Sequence, residues 1–427
     1  MNTKSQKNPT PDISLAQDIF AELQDRTGDA HGITRSAYGP GEQIAHDIVK
    51  NVAEKLSLEI DTDHAGNLFL TLPGKDRSAK RIFIGSHLDS VLHGGNYDGA
   101  AGVVCGLSAI SGLITAGITP QTDIVVMGIR CEESVWFANN YTGSKMALGR
   151  LNPELLNSLT HSTTGRTLAE SIADAGFNPD RVRRQEASLD PSTIAAFIEP
   201  HIEQGPILET EGIATGIVTG IRGNFRYRNC RCVGEYGHSG AVPLNMRKDA
   251  VAATVEFLHR LNLTWREYED TGEDLVLTCG TLTTDSSMHG FSRISGDVKF
   301  TLDVRSHTSD ILDIMHETIA KIKSDVCSNW RVNMTFEDIA ESAPAKMDKR
   351  LISRFREVAR AAGIECADIA SGGGHDAAEF AAAGIPTAMI FIRNPHGSHN
   401  PKESMLLEDF GQACALLIGF LLQNFEK

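Results

Sequence analysis

Three short apolar runs, each leading into residues that bind metals or move protons, constrain this chain more than any other feature. RIFIGS (81–86) runs into HLDS, DIVVMGIR (123–130) into CEES, and AAFIEP (195–200) into HIEQ. Uninterrupted apolar runs of this length suit strands buried on both faces, as in a parallel sheet covered by helices. Between them lie helical patterns. Residues 14–26 and 41–55 carry apolar side chains at helical spacing (Ile44, Ile48, Val52), and 98–116 reads as a small-residue helix. Strands alternating with helices predict an α/β fold with a mostly parallel sheet. In such sheets ligands bind beyond the carboxyl ends of the strands, where HLDS, CEES and HIEQ fall.

Near Ala214 the pattern changes. GIVTGIRGNFRYRNCRCVGEY reads as strands, LNMRKDAVAATVEFLHRL as a helix, LVLTCGTL and DVKFTLDVRS as strands, and 308–325 as a helix. This block suggests a small α+β unit inserted into the larger one. After Trp330 the alternation resumes, with a helix over 349–362, a strand over 387–392 and a terminal helix. The expected organisation is a catalytic domain over 1–214, an inserted lid or dimerisation domain over 215–331, and the rest of the catalytic domain over 332–427.

Length favours two or three domains, since one core does not grow to 427 residues. A formal charge of −15 repels phosphate backbones and anionic membranes, so neither nucleic acid nor a membrane is an expected partner. The start, MNTKSQKNPTPD, is expected to be disordered; it is polar and lacks the apolar stretch of a signal peptide. Eight cysteines in a chain of this kind suggest reduced thiols and a cytoplasmic location. Cys230 and Cys232 form a C-x-C pair with no second pair to complete a structural zinc site.

The candidate site residues follow from the strand ends. His87 closes the first run, with Asp89 two residues on and Asp98 in a glycine-flanked loop. A histidine and carboxylates beyond strand ends suit an N/O metal site, with Asp89 orienting the His87 ring. Asp98 could equally cap the helix it opens, a role compatible with metal binding. Glu132 and Glu133 are adjacent at a strand terminus, where two buried carboxylates are costly without a task; a solvated turn is the plain alternative. HIEQ adds His201, Glu203 and Gln204, and SHNPKE adds His399, which on its own reads as an ordinary turn histidine. Together His87, Asp98, Glu133, His201 and His399 make five ligands. Five ligands suit two divalent ions sharing one carboxylate.

In order along the chain, GSHLDS…GGNYDGAAGV, CEES, HIEQGP, GHSGAVP, the LDVR strand, GGGHDA and GSHNPKE resemble the amidase branch of the aminoacylase-like dinuclear metallopeptidases. That branch holds N-carbamoyl-L-amino-acid amidohydrolases, β-ureidopropionases and allantoate amidohydrolases. The resemblance covers residues 14 to 425. It implies one metal on His87, Asp98 and His201, and a second on Asp98, Glu133 and His399, with Asp98 bridging. It also implies Glu132 as the general base toward a metal-bound water. Zinc or manganese would serve, and cobalt or nickel are accepted by such ligands. Gln204 resembles a contact to the substrate amide. His238 resembles an oxyanion-stabilising histidine supplied across a homodimer, and Arg305 an arginine that clamps the carboxylate of a small substrate. Gly374 and His375, in SGGGHDA, fall near the substrate by the same analogy, unless that loop is only a structural glycine turn.

Three stretches depart from the family pattern. Ser292, Arg293, Ile294, Ser295 and Gly296 stand where relatives carry Asn-Val-Ile-Pro-Gly, so Ser292 replaces an amide donor and Arg293 adds a cation. Ser134, Val135, Trp136 and Phe137 stand for Gly-Ser-Arg-Phe, and residues 393–397 form a longer turn. None touches the expected ligands. The implied reaction is hydrolysis of an N-carbamoyl amino acid or related ureido acid. An N-acyl or peptide-like amide on the same site is the near alternative, and a non-catalytic ureide- or metal-binding protein a distant one. If Arg305 clamps a carboxylate, Arg305→Ala raises KM about 10- to 100-fold with kcat nearly unchanged, the scale of a charge-assisted hydrogen bond. Steady-state kinetics check this, and an unmoved KM would shift the clamp to Arg293.

Overall fold

The computed structural model describes residues 8–423; the first seven residues of the expected disordered start, and residues 424–427, lie outside the described residues. The chain divides into two compact units. The larger runs through Thr219 and resumes at Lys346, and the smaller comprises Gly220–Ala345.

In the larger unit the apolar runs form the centre of a nine-stranded sheet. Strands Ile124–Ile129, Arg81–His87, Ile194–Ile202 and Thr387–Ile392 lie side by side and parallel. Nearly every residue in them is buried. Antiparallel strands flank them, Leu68–Leu72 on one side and Thr215–Ile221 on the other. The architecture is thus α/β with a mainly parallel sheet, as the alternation required. Parallel register brings His87 level with Ile129 and His201 level with Phe391, so the loops after these strands emerge on one edge.

The small-residue helix Ala100–Thr115 packs directly on this sheet. Glycines allow the approach: a Cβ on Gly102 would meet the Pro200 carbonyl at 2.1 Å. Gly99, just ahead of the helix, has φ +66°, and a Cβ there would meet the His87 ring at 2.5 Å. Both the backbone and the ring therefore demand glycine.

The exit of the second run is pinned by a buried ion pair. Arg130 and Glu42 are fully enclosed, with Nη1 2.7 Å from Glu42 Oε2. The guanidinium also donates to the Gly66 carbonyl at 2.8 Å and to Gln43 Oε1 at 2.6 Å. Glu42 accepts the N–H groups of Tyr38 and Cys131 as well. This network holds Cys131 in a left-handed conformation, φ 53°, and so aims the glutamate pair behind it.

The smaller unit is a five-stranded antiparallel sheet with helices Ala250–Thr271 and Ser309–Trp330. Alternate residues of Asp297–Ser306 are buried, which matches a sheet with one covered face. Phe225, Phe257, Phe300, Leu302 and Met315 belong to its core. Three expectations move. The helix expected from Leu244 starts at Ala250, because Asp249 caps it by accepting from Val251 and Ala252 N–H. The expected boundaries after 214 and 331 move to Thr219 and Ala345, the second because strand Asn333–Ser342 pairs along Gly223–Val233. That strand reads poorly as one, its exposed face being rich in polar groups.

Among the described residues no helix is long and apolar enough to cross a membrane, and all eight cysteines are free. Replacing Arg130 with Met strands the Glu42 carboxylate in the interior, at a cost of about 3–5 kcal/mol. A urea titration reads this as a lower midpoint, and an unchanged midpoint would remove the pair from the stability of the fold.

Candidate metal centre and active site

The loops at the carboxyl edge bring all five expected ligands together. Donor atoms of His87, Asp98 and His201 lie within 4.8 Å of one another, as do those of Asp98, Glu133 and His399. Asp98 is common to both groups and divides its oxygens between them. Oδ1 is 3.2 Å from His201 Nε2 and 3.6 Å from His87 Nε2, while Oδ2 is 3.2 Å from His399 Nε2. Glu133 Oε1 stands 3.3 Å from the same His399 nitrogen. Ligands about 2.1 Å from a tetrahedral ion are about 3.4 Å apart along an edge. The donor set therefore fits two divalent ions sharing Asp98.

Electrostatics follow this arrangement. Burial opposes ionisation of Asp98, yet bonds to His201, His399 and His87 hold it well below the usual carboxylate range. The same bonds act on the rings: Asp98 and Glu133 push His399 up to about 11. Burial pushes Glu132 well above the ordinary carboxylate value, and the neighbouring Glu133 and Asp376 charges add to it against the pull of His87. A carboxyl with so high a proton affinity, next to the ligands, is suited to accept and release a proton.

Asp89 does more than the sequence suggested. The His87 Nδ1 atom lies 3.0 Å from the Asp89 carbonyl and 3.4 Å from its carboxylate. The carboxylate instead accepts the N–H groups of Glu132 and Glu133, both at 3.1 Å. One residue thereby orients the first ligand and holds the glutamate turn.

Gln204, Gly374 and His375 join the same cluster. Gln204 has φ 63°, its side chain donates to Asp98 Oδ2 at 2.9 Å, and its N–H donates to Asn394 Oδ1. The unusual 393–397 turn thus fixes Gln204, while Arg393 is tied down by Asp409. The His375 ring lies 4.4 Å from that of His201 and its Nε2 is 2.8 Å from Ser371 Oγ. Trp136, the other departure, packs inward, donating to the Ser90 carbonyl and stacking on His161.

The remaining expected residues belong to the smaller unit. His238 is exposed, accepts the Gly240 N–H at 3.1 Å and lies across a strand pair from Arg293. Ser292 is exposed, and its carbonyl accepts from Ser239 N–H at 2.9 Å. The Arg305 guanidinium is half-buried beside Asp303, with Nη2 2.8 Å from Oδ2.

Several participants escaped the sequence reading. Glu403, four residues past His399, accepts from Tyr97 and Asp98 N–H through Oε1. Ser398 Oγ lies 2.7 Å from Glu403 Oε2 and 2.5 Å from Asp98 Oδ2. A hydroxyl has one proton, so it serves both carboxyls only when one is protonated; burial and the Asp98 charge push Glu403 up to about 7. Arg35 is fully buried, held by the carbonyls of Leu88 and Asn96, and its charge is felt by Glu403, Asp98, Asp89 and Glu133. The SHNPKE motif carried the signal for Glu403, whereas nothing local marks Arg35.

A parallel sheet whose strand ends converge on such a cluster has the groups that hydrolysis requires, and the family and relatives of the chain make it a hydrolase acting on C–N bonds. The chain belongs to the peptidase family M20/M25/M40, whose family model matches residues 71–423. It is 31% identical over 391 residues to an N-carbamoyl-L-amino acid amidohydrolase of Geobacillus stearothermophilus, covering 90% of this chain and 92% of that protein. It is likewise 31% identical to an allantoate amidohydrolase of Bacillus subtilis, covering 87% and 88%. Among solved structures, an amidase of the hydantoinase/carbamoylase family from Burkholderia multivorans matches with a TM-score of 0.87 at 27% identity, covering 97% and 98%.

Because Glu403 ties the Asp98 loop to the His399 loop, Glu403→Ala should weaken metal affinity about 10- to 100-fold, as loss of a ligand-supporting contact does. Chelator competition measures this, and unchanged affinity would reduce Glu403 to a loop filler.

Proposed function

We propose that this protein hydrolyses the C–N bond of a small N-carbamoyl L-amino acid or a related ureido acid, releasing ammonia, carbon dioxide and the amino acid. The observation carrying this is the division of Asp98 between two donor groups with Glu132 alongside. The ureido preference draws on the amidohydrolases to which the chain is similar. Two divalent ions per subunit, zinc or manganese first, would occupy the two groups and supply Lewis acidity and an activated water. His87, Asp98 and His201 would hold one, and Asp98, Glu133 and His399 the other.

The side chains of the protein do the rest. Glu132 takes a proton from the attacking water, an uptake that its raised proton affinity favours, and passes it to the more basic leaving nitrogen. Asp89 keeps that carboxylate aimed by holding its backbone N–H. Gln204 positions the substrate amide. Arg305 and Ser292 receive the substrate carboxylate, with Asp303 pre-orienting the guanidinium. His238, supplied by the second subunit of a cytoplasmic homodimer, steadies the oxyanion.

Ammonia release by metal-reconstituted protein across N-carbamoyl amino acids, allantoate and N-acyl amino acids tests the reading. Rapid release from one ureido compound, abolished by chelation, is expected; cleavage of acyl amides alone would move the protein to the aminoacylase side. Glu132→Gln should retain both ions while kcat falls about 10²- to 10⁴-fold. Near-full activity in that variant would assign the proton transfer elsewhere.

A further inference from the structure

Tyr141 reaches the same cluster by a route the metal ligands do not explain. Its N–H donates to the Glu132 carbonyl and the Thr142 N–H to the Cys131 carbonyl, both at 3.0 Å. The segment therefore folds back along the glutamate pair. Tyr141 holds φ 55°, a left-handed conformation unfavourable for a residue with a side chain. Cys131, opposite it, does the same. Such strain persists only where the surroundings enforce it, and it gathers at functional sites.

Tyr141 is 9% exposed. Among the described residues none exchanges a hydrogen bond with its hydroxyl, and the oxygen is not sealed from solvent. A buried phenol ordinarily finds a partner. The hydroxyl rests on bare backbone: a Cβ on Gly374 would fall 1.6 Å from Tyr141 Oη. One residue earlier, a Cβ on Gly373 would fall 2.9 Å from Gln204 Oε1. Phenol and carboxamide thus lie along one glycine floor, and Gln204 reaches on to Asp98. Burial and the charges of Glu132, Asp376, Glu379 and Glu199 keep the phenol un-ionised.

These neighbours decide what the open hydroxyl can receive. Carboxyl groups outnumber the one cation facing the ring, Lys145 at 5.5 Å from its centroid, so a hydrogen-bond donor suits the hydroxyl better than a substrate carboxylate; the polarised carbonyl oxygen belongs with the cations. The part of a ureido acid left over is its terminal amino group, which carries two N–H donors. We propose that the Tyr141 hydroxyl accepts a hydrogen bond from the terminal amino group of the substrate, and so selects –CO–NH2 over –CO–H or –CO–R at the scissile carbonyl. This rests on the ureido reading above and adds the residue that enforces it.

The test compares wild-type and Tyr141→Phe full-length protein, both reconstituted with manganese, on an N-carbamoyl and an N-formyl derivative of one L-amino acid. The formyl compound keeps the amide, the carbonyl and the carboxylate but lacks the terminal amino group. If it is not cleaved, its inhibition constant takes the place of its kcat/KM. The carbamoyl-to-formyl ratio of kcat/KM is expected to fall tenfold or more in the variant. An unchanged ratio, including an equal fall on both compounds, makes Tyr141 a packing residue and overturns the proposal. A wild-type protein that cleaves the formyl compound and no ureido acid is a different failure, that of the ureido reading itself.

Discussion

The Asp98 carboxylate is the point on which the larger unit converges. Its two oxygens face three imidazole nitrogens contributed by His87, His201 and His399, which are far apart in the chain. A buried carboxylate is unfavourable unless paired and hydrogen-bonded. Here the pairing is supplied by the ring nitrogens, by Gln204 and by the Ser398 hydroxyl. The helix that begins just after it can start there only because Gly99 leaves room for the His87 ring. The same few ångströms thus set the sheet-to-helix packing and the geometry of the ligands.

Holding so many carboxyl groups together requires counter-measures around them. Arg35 brings a buried positive charge within range of Glu403, Asp98, Asp89 and Glu133. Burial lifts Glu132, Asp376 and Glu403 toward their protonated forms, which spares the site some of the repulsion. Left-handed backbone at Cys131, Tyr141, Gln204 and His399 is a second cost. Buried networks offset it: Arg130 and Glu42 behind Cys131, and Asn394 behind Gln204. Rigidity of this kind keeps the donor atoms poised at separations that also suit shared divalent ions.

Much of this is legible in the sequence. The apolar runs at 81–86, 123–130 and 195–200 became the central parallel strands, because a strand buried on both faces has no polar positions to spare. His87, Asp98, Glu133, His201 and His399 stood out because each follows such a run or a glycine-rich turn. Glu403 lay inside a motif already noticed, yet its bond to the Asp98 loop spans 305 residues and has no local mark. Arg35 and Tyr141 sit in stretches with neither metal-type spacing nor periodicity. The strand Asn333–Ser342 has no clear mark in the sequence because its polar face resembles a loop.

What the sequence determined by itself was the alternation of buried strands with helices, and which ionisable residues follow those strands. Both are local properties, set by where apolar side chains must hide and where polar ones must stop hiding them. The tertiary structure decided which oxygen of Asp98 meets which histidine. It also decided that Asp89 holds the glutamate turn through two backbone N–H groups, and that a tyrosine hydroxyl is left open against Gly374. Those outcomes depend on parallel register and on glycine-permitted close approaches between distant segments. Only packing the whole sheet sets them, since they span separations at which one-dimensional spacing carries no distance information.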